Sequence, residues 1–124
     1  MMFLVSRLQQ LSGYNLKSIF ITGADKGLGW ALLKNFVSFN KKVFPHFLNE
    51  SSAKSRMRLN GGSSLFGNLS DEKVLIKAID FVSRIKSLDL VILNAAIFPR
   101  EKTEKVKLKE WNEVINLNLT VPFF

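Results

Sequence analysis

Three glycines in a Gly-x-x-x-Gly-x-Gly spacing, Gly23, Gly27 and Gly29, separate a short apolar run from an amphipathic one. That arrangement suits the binding of a phosphate. The first N–H groups of a helix have no intrahelical partner and lie at the positive end of its dipole. Side chains must be out of the way if such a backbone is to reach a dinucleotide pyrophosphate. Gly23 then permits a tight exit from a strand, Gly27 a close approach to the anion, and Gly29 the packing of the helix against the sheet. A few glycines in a loop are by themselves only a turn; their place between a strand pattern and a helix pattern is what points to a nucleotide. Lys26 beside them reads either as an exposed turn lysine or as a cation for phosphate. His46, the only histidine, has no second ligand nearby in sequence and reads as a strand-end or surface residue, so no metal site is expected. Asp89 reads as structural, Trp111 as a core anchor, and Asn118 as an amide able to tie a helix to a neighbouring strand.

Positioning those groups takes alternating strands and helices. Residues 18–21 form a β-branched and aromatic run bounded by glycine, suited to a central parallel strand buried on both faces. Leu28, Leu32, Phe36 and Phe39 recur at helical spacing, with Trp30, Ala31 and Leu33 widening the apolar face, and Asn40 is a plausible stop. Residues 42–48 predict a second strand, which Pro45 makes short, bulged or locally an edge because proline has no N–H to donate. Residues 49–64 are polar, with a short helix over 51–58 and a turn at Gly61 and Gly62; residues 64–67 predict a short third strand. Ser70 is the expected cap of a helix carrying Leu75, Ala78, Ile79, Val82 and Ile85 on one face, with Asp71 and Glu72 complementing its dipole. Residues 88–93 predict a buried fourth strand, followed by a polar loop and a helix with Trp111, Val114, Ile115 and Asn118 on one face. The alternation predicts an α/β fold, a Rossmann-type doubly wound parallel sheet of order 3-2-1-4, reaching the fourth strand and part of the fourth helix.

The composition agrees. The 124 residues are 47% hydrophobic, enough for one domain core and unlike a disordered chain. No apolar run approaches the ~20 residues that span a bilayer, so no membrane partner is expected. Residues 1–5 are too short for a secretory signal and no basic region precedes them. Residues 1–16 are expected to be a lead-in helix bearing Phe3, Leu4, Leu8 and Leu11. The absence of cysteine excludes disulfides and thiolate metal sites and fits a cytoplasmic protein. The net charge of +8 comes from scattered lysines and arginines without interleaved aromatics, so a nucleic-acid partner is not expected.

Thr22-Gly23-x-x-x-Gly27-x-Gly29 resembles the glycine motif of the classical short-chain dehydrogenase/reductase family. Three more stretches match in the same order. Asn94-Ala95-Ala96 is similar to that family's Asn-Asn-Ala-Gly motif. Asn68-Leu69-Ser70-Asp71 is similar to its Asp-Val-Thr-Asp segment, whose first residue contacts adenine. Residues 111–119 are similar to its helix-four pattern, with Asn118 at the tetrad asparagine. The resemblance covers residues 17–124 and implies a partial NAD(P)-binding Rossmann domain there. It implies hydride transfer between a nicotinamide cofactor and a small alcohol or carbonyl substrate, with Asn118 catalytic. The cofactor-binding residues it implies are Gly23, Asp25, Lys26, Gly27, Leu28, Gly29, Asn68, Leu69, Asn94, Ala95 and Ala96. Lys26 favours NADP, with Lys54 or Arg56 adding to it, whereas Glu50 near the end of the second strand would favour NAD. The resemblance also implies homo-oligomeric full-length homologues. The family's Ser and Tyr-x-x-x-Lys have no match in these residues, since the single tyrosine is Tyr14. The expectation is therefore a fragment of an oxidoreductase, or alternatively a non-catalytic or vestigial nucleotide-binding protein, with an isolated chain prone to instability or aggregation.

Overall fold

The computed structural model describes residues 15–51, 57–99 and 102–124. The lead-in helix, most of the short helix expected over 51–58, and Lys54 and Arg56 lie outside the described residues. Four strands, β1 (Ser18–Ile21), β2 (Lys42–Phe47), β3 (Leu65–Phe66) and β4 (Leu90–Ile92), form one parallel sheet in the order β3-β2-β1-β4. This is the doubly wound order expected from the sequence. Three helices connect or follow them: α1 (Gly27–Ser38), α2 (Glu72–Ser83) and α3 (Leu108–Ile115). A π-helical turn, Asn116–Thr120, and a last helical turn, Val121–Phe123, continue α3.

β1 is central because each of its residues is apolar or small and all four are buried. Its side chains alternate between two cores. Ile19 and Ile21 pack with Leu32, Leu33 and Phe36 of α1 and with Val43 and Phe47 of β2. Phe20 faces the other way, with Phe44, Leu65, Leu69 and Ala78, and α2 closes that face through the partly buried Val74, Phe81 and Val82, with Ile85 just past its end. The Phe81 ring meets both Phe20 and Phe44, at centroid distances of 6.2 and 6.1 Å.

The buried stripes differ from the expected ones by a rotation. On α1 the buried residues are Gly29, Leu32, Leu33 and Phe36, while Leu28 and Phe39 are exposed. The reason is that Gly29 lies against the Gly23 backbone, which turns Leu28 outward. Asn40 does end the helix, in the left-handed region at φ 57°. On α2 the cap is Asp71 rather than Ser70: the Asp71 carboxylate accepts from the Lys73 N–H at 2.8 Å. Ile79 points outward, and of the expected stripe only Ala78 is fully buried. β4 is half-exposed rather than buried, because it is an outer strand of the sheet. Trp111 is 53% exposed, so it anchors no core here.

Pro45 is fully buried inside β2. The Val43 N–H donates to the Leu59 carbonyl, and strand alternation turns Pro45 to the same edge. Pairing with β3 begins only at His46, so proline's missing donor falls in the gap before β3. The strand is therefore locally an edge at Pro45, one of the three ways of accommodating it.

At the N-terminal end of the sheet the Asp89 carboxylate accepts from the Lys17 and Ser18 N–H groups at 2.7 and 2.9 Å. The bonds from Ser18 and Lys17 hold its pKa below the ordinary carboxylate value. The structural reading of Asp89 is thus met by a clip from β4 to β1. Among the described residues no helix is long and apolar enough to cross a membrane.

Candidate functional site

The glycine turn sits at the C-terminal ends of the strands, where open α/β sheets place their ligand crevice. Gly23 and Gly27 have φ of 68° and 54°, a region that L side chains rarely adopt. A Cβ at Gly23 would come within 2.8 Å of Ala95 Cα, and one at Gly29 would run into the Gly23 carbonyl and come 2.6 Å from Asn94 Nδ2. A Cβ at Gly27 would meet nothing within 4 Å. Gly23 and Gly29 thus make tight packing possible, and Gly27 leaves the turn open. No side chain caps α1 and its first turn holds no acid. An uncapped helix start facing open space fits an anion such as a phosphate.

Four sets of hydrogen bonds fix the turn. Thr22 is buried, and its hydroxyl accepts from the Asn94 and Ala95 N–H groups at 2.9 and 3.0 Å. The Asn94 amide donates to the carbonyls of Thr22 and Gly23 at 3.1 and 3.0 Å. Asp25 accepts from the Leu48 N–H at 2.8 Å, which ties the turn to the exit of β2. His46 closes the base: the Gly23 N–H donates to its Nδ1 at 3.2 Å, and its Nε2 lies 2.7 Å from the Gly67 carbonyl. A carbonyl can only accept, so Nε2 carries the proton and the ring is neutral. Burial lowers the His46 pKa, opposed in part by the Gly67 bond and by Asp25.

Above these groups lies a solvent-open cleft of about 2440 Å³. Of the sequence-predicted cofactor residues, Gly23, Asp25, Lys26, Gly27, Leu28, Asn68, Leu69, Asn94, Ala95 and Ala96 line it. Gly29 does not; it lies beneath, against Gly23. Asn68 shapes its own turn, its side-chain oxygen accepting from the Ser70 N–H at 3.0 Å. Leu48 and Asn49 form the wall beyond β2, whereas Phe47 is fully buried. Glu50 is not among the lining residues and Lys26 is.

Asn118 is set back from the cleft lining. It lies in the π-helical turn, and its amide makes a two-point bond to Ile97: the side-chain oxygen accepts from the Ile97 N–H at 2.9 Å and Nδ2 donates to the Ile97 carbonyl at 2.8 Å. It ties the helix to the loop after β4 rather than to a strand. Asn116 reaches the Ser70 carbonyl at 3.4 Å from the same turn. Sequence reasoning missed His46 as a site residue: it sits near the end of its strand, is only 3% exposed, and lines the base of the cleft. Strand register carried the missing signal. With Ile21 opposite Pro45, the next residue of β2 must lie beside the glycine turn.

The sequence profile for short chain dehydrogenase matches residues 17–124. A short chain dehydrogenase/reductase from Gibberella zeae is 34% identical over 128 residues, covering 98% of this chain and 46% of the relative. Two solved structures share the fold. A gluconate 5-dehydrogenase from Burkholderia cenocepacia J2315, in complex with NADP and tartrate, has a TM-score of 0.70 at 21% identity, covering 86% of this chain and 44% of that one. A 3-ketoacyl-(acyl-carrier-protein) reductase from Brucella melitensis, complexed with NADH, has a TM-score of 0.73 at 22% identity, covering 86% and 46%. The chain spans about half the length of the curated relatives it matches.

Proposed function

The chain belongs to the short-chain dehydrogenase family, and from that premise we propose that its cleft binds a nicotinamide dinucleotide, NADP in preference to NAD, for an oxidoreductase acting on a small alcohol or carbonyl compound. The observation that carries this reading is the uncapped start of α1 opening, at Gly27, into a cleft lined by Lys26, Asn68 and Asn94. The pyrophosphate would lie over Gly23, Gly27 and the first turn of α1. Asn68 and Leu69 would border the adenine, with the amide of Asn68 able to donate and accept. Asn94, Ala95 and Ala96 would border the nicotinamide half. The bound cofactor would supply a hydride acceptor or donor. The chain's own residues would hold it, orient it and keep water from one face. Asn118 would steady the loop after β4 and support proton transfer through water. Lys26 lines the cleft while Glu50 does not, which supports NADP. Its ammonium would pair with the additional phosphate.

A second reading, nucleotide binding without turnover, is favoured by one observation: both polar ends of the Asn118 amide are engaged by Ile97. Titrating the protein with NADPH and NADH, beside an assay of hydride transfer to small ketones and aldehydes, separates the two. NADPH is expected to bind more tightly, and Lys26→Ala to weaken it about tenfold, roughly 1.4 kcal/mol, with little effect on NADH. Tighter NADH binding by the unaltered protein would overturn the NADP preference. Binding without hydride transfer would leave the second reading standing.

A further inference from the structure

His46 joins three segments that meet only in the folded chain. Its ring accepts from Gly23, 23 residues earlier, and bonds to the carbonyl of Gly67, 21 residues later. Its own carbonyl accepts from the Ala24 N–H at 2.9 Å. Gly67 directly precedes Asn68, which lines the cleft. The one imidazole therefore spans the base of the cleft, from the turn proposed for phosphate to the turn proposed for adenine.

Resting on the cofactor reading above, we propose that His46 is a positioning residue for the cleft. Its neutral Nε2–H form clips the glycine turn to the turn after β3, and a second proton releases the clip and weakens cofactor binding. Protonation turns Nδ1 from acceptor into donor, so that an N–H would face the Gly23 N–H. Gly23 has little room to adjust, since even a Cβ there would press on the Ala95 backbone. The new charge would also be buried. Asp25, in the glycine turn, is the charged group that favours it, but Asp25 is committed to the Leu48 N–H. Lys26, next in that turn, is exposed. The flanking strands Ser18–Ile21 and Leu65–Phe66 contain no titratable side chain. Gly67 is held as well: it has φ 124°, and a Cβ there would lie 3.0 Å from the Val74 methyl groups.

The chain has one histidine, so its imidazole nitrogens can be observed directly by ¹⁵N–¹H NMR. At neutral pH the spectrum should show an unprotonated Nδ1 and a protonated Nε2; the opposite tautomer would overturn the clip. In calorimetric titrations with NADP, the affinity of the parent should fall threefold or more, on the order of half a pH-dependent decade, between pH 7.5 and pH 5. His46→Asn places an oxygen near the Nδ1 position and takes up no proton. Because it cannot reach the Gly67 carbonyl, it should bind about threefold more weakly than the parent at pH 7.5 and lose less affinity on acidification, the titration of the cofactor itself being common to both. His46→Leu should bind about tenfold more weakly throughout. Superimposable pH profiles for the parent and His46→Asn would overturn the proposal while leaving the cofactor site intact. A parent that binds NADP at no pH would instead overturn the cofactor reading, and the clip's effect on affinity with it. If His46→Leu fails to fold, the tautomer and the His46→Asn profile still decide.

Discussion

A methyl group at Gly27 would enter the open cleft, whereas one at Gly29 would run into the Gly23 carbonyl. The two alanine variants should therefore fail differently. Gly27→Ala costs about 1 kcal/mol for its left-handed backbone and should fold, with nucleotide affinity reduced at least tenfold by the crowded approach. Gly29→Ala forces backbone apart, and a loss of roughly 2–4 kcal/mol is expected. Thermal melts paired with nucleotide titrations would check this, since the first variant should lose binding with most of its stability retained and the second should lose both. Asp89 offers a test by pH. Its folded pKa is depressed, so its contribution is present above the unfolded value and is lost as pH falls through the folded one. Asp89→Asn should thus lower the melting temperature at pH 7, and the gap to the parent should close as the carboxylate of the parent protonates. An equal gap at all pH values would remove the charge from the explanation.

Among the elements, the turn around Asn118 is held by the two bonds to Ile97. Asn118→Ala should cost about 1–2 kcal/mol and speed hydrogen exchange at the Ile97 amide, with little change at Phe20 in the central strand; unchanged exchange at Ile97 would count against the tie. What could be foreseen at this scale divides along physical lines. β1, the glycine turn and the sheet order follow from local rules, namely apolar runs, backbone freedom and crossover geometry, so the sequence alone discloses them. The stripe on α1 does not, because Gly29 against Gly23 sets the helix rotation and periodicity cannot fix a phase. The cap shifted from Ser70 to Asp71 because neighbouring residues can each cap and only backbone geometry chooses. His46 was illegible as a cleft residue because both its ring partners are distant in sequence. Trp111 was misjudged because an aromatic on an amphipathic helix signals burial only if a partner faces it.

For the molecule as a whole, the decisive asymmetry lies between the two sides of β1. β2 beside it is buried from Val43 to the end of the strand, while β4 is half-exposed and the following stretch leaves Leu93, Phe98, Leu108, Trp111, Leu119, Phe123 and Phe124 open to solvent. An outer strand presents unpaired backbone groups, and apolar side chains near it favour association. The 124-residue chain is expected to self-associate at micromolar concentration in a manner insensitive to salt, which light scattering over a dilution series would check. A monomer with one cooperative unfolding transition would refute it. The net charge of +8 opposes association over long range, but at physiological ionic strength the Debye length of about 8 Å confines that repulsion.

The Thr22 hydroxyl accepts bonds from residues 72 and 73 positions further along, and this gives the fold a timetable. The glycine turn leaves the ribosome before the groups that lock it, which belong to the exit of β4. At synthesis rates of 5–20 residues per second, the wait is roughly 4–14 s. During that interval β1 can pair with β2, whose loop closure is short, while Thr22, Gly23 and Gly29 lack their Asn94 partner. A nascent chain should therefore acquire its ordered glycine turn only when β4 docks, so that capture of the proposed nucleotide would report the docking of β4 rather than the pairing of β1 with β2.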